Sequence, residues 1–139
     1  MDDFFIILAS NTSIEDFPQN SSSDFVCRLP EDIEINFNYR VALVDLILPP
    51  ISKEGPLLIS IYSDVAGPTI FSSSLSNVLR VTVPNRSEFS VCHSFDNPIY
   101  IPVGKSSFNT LSILFTDHLG QKVKFKKSIS SLTLHFKQF

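Results

Sequence analysis

NPIYIPVGKSSFNTLSILFTDHLGQKVKFKKSISSLTLHF, residues Asn97 to Phe136, carries two runs in which every second residue is apolar. In the first, Leu111, Ile113 and Phe115 alternate with Ser112, Leu114 and Thr116. In the second, Leu132, Leu134 and Phe136 alternate with Ser131, Thr133 and His135. Successive side chains of a strand point to opposite faces, so each run can bury one face and wet the other. Asp117-His118-Leu119-Gly120 between them has turn composition, and Gly120 can supply a positive φ. The stretch predicts antiparallel strands.

Outward from it, the chain continues in the same manner. Phe4–Ala9, FFIILA, is a short apolar run expected as a strand buried on both sides or lying over a core. Ser10–Asp24 is polar and contains Pro18, so it is expected as a loop pinned to the body by Phe17. Phe25–Leu29 is a strand pattern that Pro30 interrupts at an edge or bend, and Ile33 and Ile35 alternate beyond it. Tyr39–Leu48 is the longest apolar run, and its β-branched residues favour a central strand. Pro49-Pro50 stops it. Leu57–Tyr62 and Val78–Val83 are further strands around a long surface loop, Ser63–Ser76. Two shorter strand patterns, Phe89–Phe95 and Ile99–Val103, flank Asn97-Pro98. About eight to ten short strands without an amphipathic helical window or repeat predict an all-β sandwich, barrel or jelly roll.

Composition bounds the function. A chain of 139 residues suits a single domain, 1–139, with a substantial core. Hydrophobic residues make up 43% and charged residues 18%, which fits either a Phe-rich core or a surface partly covered by other subunits. The net charge of −3 argues against a generally basic nucleic-acid binder. Met1-Asp2-Asp3 is acidic where a signal peptide is basic, and Phe4–Ala9 is too short to span a bilayer, so synthesis in the cytosol and no membrane span are expected. Cys27 and Cys92, lone and far apart, suit reduced thiols.

No catalytic constellation emerges, and the chain is not expected to be an enzyme. His93, His118 and His135 lack metal-ligand spacing, so neither metal nor cofactor is expected, and the His-rich motif of a cupin-type enzyme is missing. Gly104-Lys105-Ser106 lacks the earlier glycine and the following helix of a phosphate loop. Asp45 and Asp64 are ordinary strand-end acids, and Asn11, Asn20 and Asn85 head glycosylation-type triplets that mean only polar loops. One charge cluster stands out. Lys122, Lys124, Lys126 and Lys127 alternate in part with Val123 and Phe125, as on a strand with one basic face. It is expected either as an edge guarded by lysine or as a contact with an acidic partner or packaged DNA. Four lysines would hold a polyanion only weakly and salt-sensitively.

Four stretches in series resemble the minor capsid (penton) proteins of Polinton/Maverick elements and adintoviruses. They are Tyr39-Arg40-Val41-Ala42-Leu43-Val44-Asp45 with Pro49 nearby, Tyr62-Ser63-Asp64 followed by Val78-Leu79-Arg80, Asn97-Pro98-Ile99-Tyr100-Ile101-Pro102-Val103, and Asp117–Gly120 through Val123-Lys124-Phe125 to Thr133-Leu134-His135-Phe136. Their order matches and they cover most of the chain from Phe25 onwards. Tyr39 stands where the family more typically has Trp, and there is no room for an elaborate inserted domain. The resemblance implies a single jelly-roll β-sandwich of about eight antiparallel strands. It further implies a vertex pentamer among double-jelly-roll major capsid trimers, located in the virion and assembled in the host nucleus or cytoplasm. A ring needs heterologous interfaces, and the loops Ser10–Asp24, Pro49–Pro56 and Ser63–Ser76 are candidates to make them. The alternative is a ligand- or carbohydrate-binding attachment module. That class calls for exposed aromatics with Asp, Asn or His on one sheet face, whereas the chain has no Trp and three Tyr.

Overall fold

The computed structural model describes residues 2–36, 38–126 and 128–139, which form β-strands and no helix. In chain order the strands are β1 (Phe4–Ala9), β2 (Asp24–Glu34), β3 (Tyr39–Leu48), β4 (Ile59–Ser63), β5 (Thr69–Phe71), β6 (Ser74–Ser76), β7 (Val78–Thr82), β8 (Val91–Ser94), β9 (Ile101–Pro102), β10 (Ser107–Thr116) and β11 (Ser131–Gln138). One sheet has the order β1-β11-β3-β8, with β9 also on β3, and the other the order β2-β10-β4-β7. All pairings are antiparallel. The chain is thus an all-β protein of two large antiparallel sheets and a separate two-stranded one, β5-β6.

The pairing is nested. β1 pairs with the last strand, β2 with β10, β3 with β8 and β9, and β4 with β7. A single cluster of buried side chains draws on both sheets, among them Phe25, Leu111, Ile113 and Phe115 from one and Val41, Leu46, Leu132 and Leu134 from the other. Across the gap the Phe108 and Phe136 rings lie 5.9 Å apart. The expected inward residues of β10 and β11 are fully buried, so the period-two reading holds for both strands. Gly120 does adopt a positive φ, +79°, in the turn after β10.

Two expectations change, and a third resolves to its second alternative. β1 is an edge strand lying over the core on one face, not buried on both sides: Leu8 is buried, but Phe5 and Ile7 on the other face are 62% and 73% exposed. A continuous apolar run does not reveal that only one of its faces finds a covering layer. The Ser63–Ser76 loop contains the β5–β6 hairpin, whose cross-strand pair Ile70 and Leu75 stands in solvent. Leu57 and Leu58 also stay exposed, and β4 begins only at Ile59.

The open edge of β2 is guarded by the 10–23 loop. The Asn20 side chain accepts from Val26 N (3.0 Å) and donates to Val26 O (2.8 Å), while Ser13 Oγ accepts from Arg28 N (2.9 Å). These side chains supply the partners that a neighbouring strand would. Phe17 pins the loop as expected, beneath the Arg28 guanidinium at 5.4 Å. Further along β2 the register shifts: Arg28 faces Thr110, whereas Ile33 faces Phe108. Four residues of β2, including Pro30, oppose a single residue of β10, so Leu29–Asp32 bulges from the edge. Pro30 interrupts the pairing where the sequence places it.

Where β3 begins, two connections meet backbone to backbone. Gly67 N donates to Pro102 O (2.8 Å), and a Cβ on Gly67 would lie 2.7 Å from that same oxygen. Gly67→Ala is expected to cost about 1–3 kcal/mol, the usual range for overpacking, because only backbone could yield. The midpoint of urea unfolding measures this directly.

Candidate functional site

Because the pairing is nested, alternate connections fall at the same end. Those joining β1 to β2, β3 to β4, β7 to β8 and β10 to β11 gather where β3 finishes. Ile51 and Ser87 form a β-bridge there, and Arg86 donates to the carbonyls of Ser52 (3.0 Å) and Pro56 (3.1 Å). Leu57 N donates to His118 Nδ1 (3.2 Å). Ser130 N donates to Ser10 Oγ, and Ser130 Oγ to Ser22 O.

The lysine segment lies at this end. It is not the strand its alternation suggests. Among the described residues, its backbone is tied to β10 by a bridge between Thr116 and Lys122 and a hydrogen bond from Val123 N to Phe115 O. β10 already has β2 on one side and β4 on the other, so no free ladder remains alongside it. Alternation survives for another reason: Val123 is buried and Phe125 half-buried over the end of the core, where Phe125 meets Phe115 edge-on at 6.0 Å. Lys122, Lys124 and Lys126 therefore point to solvent, and Lys127 lies outside the described residues. The edge-protection reading falls with the strand.

The turn before the segment is held by Asp117, whose carboxylate accepts from Leu119 N (2.9 Å) and Gln121 N (3.0 Å). The backbone hydrogen bond from Gln121 is the main cause that lowers the pKa of Asp117, with that from Leu119 adding to it. Lys122 pairs with Asp24 at the start of β2. Lys124 and Lys126 have no ion pair among the described residues and line a groove of about 690 Å³. Lys53 and Arg86 from two other connections share it, and Ile51, Val123 and Phe125 contribute its apolar surface. Its volume lies within the range of ligand-sized sites. The sequence isolates the lysines but not Lys53 or Arg86, since only the nested topology brings three distant loops to one place.

Each histidine ring is hydrogen-bonded within the fold. His93 is buried, and its Nε2 accepts from Asn85 N (3.0 Å), so the neutral ring carries its proton on Nδ1. Burial pushes its pKa down, the Val91 backbone offsetting part of the effect. A histidine whose pKa is depressed by folding takes up its proton more readily unfolded. Its contribution is complete above the unfolded value of about 6.5 and is lost as pH falls from there through the folded value. Stability is therefore expected to drop on acidification in that window, and His93→Gln, which keeps an acceptor, should flatten the drop; denaturation at a series of pH values checks this.

His135 points away from the core as expected, yet it is not open. Phe5 stacks on it at 4.4 Å, Tyr100 Oη lies 2.8 Å from Nδ1, and Asp3 lies 3.8 Å from Nε2. Asp64 pairs with Lys105 (2.8 Å) and accepts from Ser112 N, while Asp45 sits in the other sheet. Cys27 is buried, and its desolvation raises the thiol pKa against smaller opposing effects of its hydrogen bonds with Thr12 and with the Ala9 carbonyl; Cys92 is exposed on the other sheet. Among the described residues no three His, Cys, Asp or Glu side chains are grouped to hold a metal ion, and no helix is long and apolar enough to cross a membrane. No protein-family model matches the chain, and no curated protein matches it in sequence.

Proposed function

We propose that this chain is a structural capsid subunit, a single jelly roll of the penton type that forms a vertex ring, with five copies expected from the family it resembles. The observation that carries this reading is the nested order, β1-β11-β3-β8 facing β2-β10-β4-β7. A long hairpin wound into two Greek keys has this order, and jelly rolls of this kind build viral capsids. The exposed apolar residues add support. Phe5, Ile7, Ile70 and Leu75 stand out from the body, where a surface without partners would carry charge. The test is co-assembly with the cognate double-jelly-roll major capsid protein, followed by imaging of the vertices. Filled five-fold vertices are expected; closed shells whose vertices hold another protein would sink the reading.

One observation favours the attachment-module alternative. Phe5, His135, Tyr100 and Phe139 cluster on the outer face of the first sheet, with Arg40 over the Phe139 ring at 4.9 Å and Asp3 alongside. Aromatic rings beside Asp and His can stack on and hydrogen-bond a sugar. Here much of that capacity is already used within the cluster, which favours the capsid reading. A glycan-array signal lost in Phe139→Ala would reverse that preference.

A further inference from the structure

Free charge is segregated on this molecule. Lys53, Lys124 and Lys126 line the groove and none is in an ion pair among the described residues; the Arg86 guanidinium is fixed by two carbonyls, which leave its charge uncompensated. Glu88 is the one acid in the lining. This concentration of positive charge sits on a chain of net charge −3. The opposite arrangement occurs on the β2 bulge. Glu31, Asp32 and Glu34 are exposed there and have no ion pair among the described residues, while Leu29 and Ile33 turn inward against the chain's own core. The groove opens where β2 begins, whereas the bulge lies in the far half of that strand, so the two patches are separate surfaces of one chain.

We infer that the groove receives the Pro30–Glu34 bulge of a second copy of this chain. This inference rests on the ring reading above and supplies one of its heterologous contacts, in which two different surfaces of identical subunits meet. Lys124 and Lys126 face the carboxylates of Glu31 and Asp32. Such an arrangement matches charge to charge. Nucleic acid fits less well. A duplex presents a phosphate about every 1.7 Å of its axis, which would crowd against Glu88. The chain itself carries the complementary surface.

Charge reversal tests the contact, and the residues to be changed are exposed, so the fold is not at stake. Sedimentation velocity is run on the wild type at low and high salt, on Lys124→Glu with Lys126→Glu, on Glu31→Lys with Asp32→Lys, and on the chain with all four changes. The wild type is expected to self-associate at low salt and to come apart at high salt, because screening is strong beyond about 10 Å at 0.1 M. Each pair of reversals should weaken association by more than about tenfold, since like charges then face each other. The fourfold variant should recover it. A wild type that stays monomeric at low salt, reversals without effect, or a fourfold variant that fails to recover would each refute the contact. If the lysine reversals alone matter, and they abolish a gel shift of duplex DNA, the occupant is nucleic acid. Vertices filled by chains whose reversals leave association intact would remove this contact and keep the capsid reading. Empty vertices beside the full charge-swap pattern would do the opposite.

Discussion

Phe136→Ala is expected to destabilise the protein by about 3–5 kcal/mol, the range for emptying a buried aromatic site. Its ring is fully buried in β11, stacked on Phe4 from β1 at 4.8 Å and facing Phe108 of the opposite sheet at 5.9 Å. It therefore joins an edge strand, a central strand and the second layer at once. Little can move in to fill the space, because β11 is paired on both sides and its neighbours are held in register. Against a total stability of about 5–15 kcal/mol for a typical domain, this one change puts folding at risk. Guanidinium denaturation of the variant measures it. A loss below about 1 kcal/mol, the scale of a surface substitution, would show that the two sheets do not meet at this ring.

Leu134→Ala, two residues earlier on the same face, is expected to cost about 2–5 kcal/mol. It is fully buried between Ile6 of β1 and Leu43 of β3. His135→Ala provides the comparison. The sequence alone makes it a surface change costing well under about 1 kcal/mol. The structure raises that expectation to about 1–2 kcal/mol, because the ring stacks on Phe5 and is hydrogen-bonded to Tyr100. The order of the two effects should still hold, and equal losses in parallel denaturation curves would place β11 in the wrong register.

What could be read in advance follows from the range of each signal. Alternation in Leu111–Phe115 and Leu132–Phe136 is local, so one strand with one dry face announces itself. Burial of a continuous run such as Phe4–Ala9 depends on what covers it, and the run has no way to encode that its second face meets no layer. The same alternation misleads at Lys122–Lys126. Val123 and Phe125 turn inward over the end of the core, but a strand also needs a partner with a free edge, and β10 has none. Thr69–Ser76 shows the reverse case, since serines and a tight turn hide a hairpin whose pairing is entirely its own. The candidate site was half legible. Lys124 and Lys126 declare themselves by clustering, whereas Lys53 and Arg86 join them only through pairings between strands far apart in sequence.

The pairing of the first strand with the last also bears on how the chain is made. β1 leaves the ribosome more than 120 residues before β11, its one strand neighbour among the described residues. Until β11 emerges, the run Phe4–Ala9, with no charge and no proline, has no edge to join. Contacts this distant in sequence close slowly, roughly on the scale of milliseconds to seconds for all-β domains. A nascent chain in that interval presents a sticky strand to every other nascent chain on the same message. Products halted before Ser131 can never cover it. High-level synthesis of this protein should therefore depend on chaperones that hold β1 until β11 arrives.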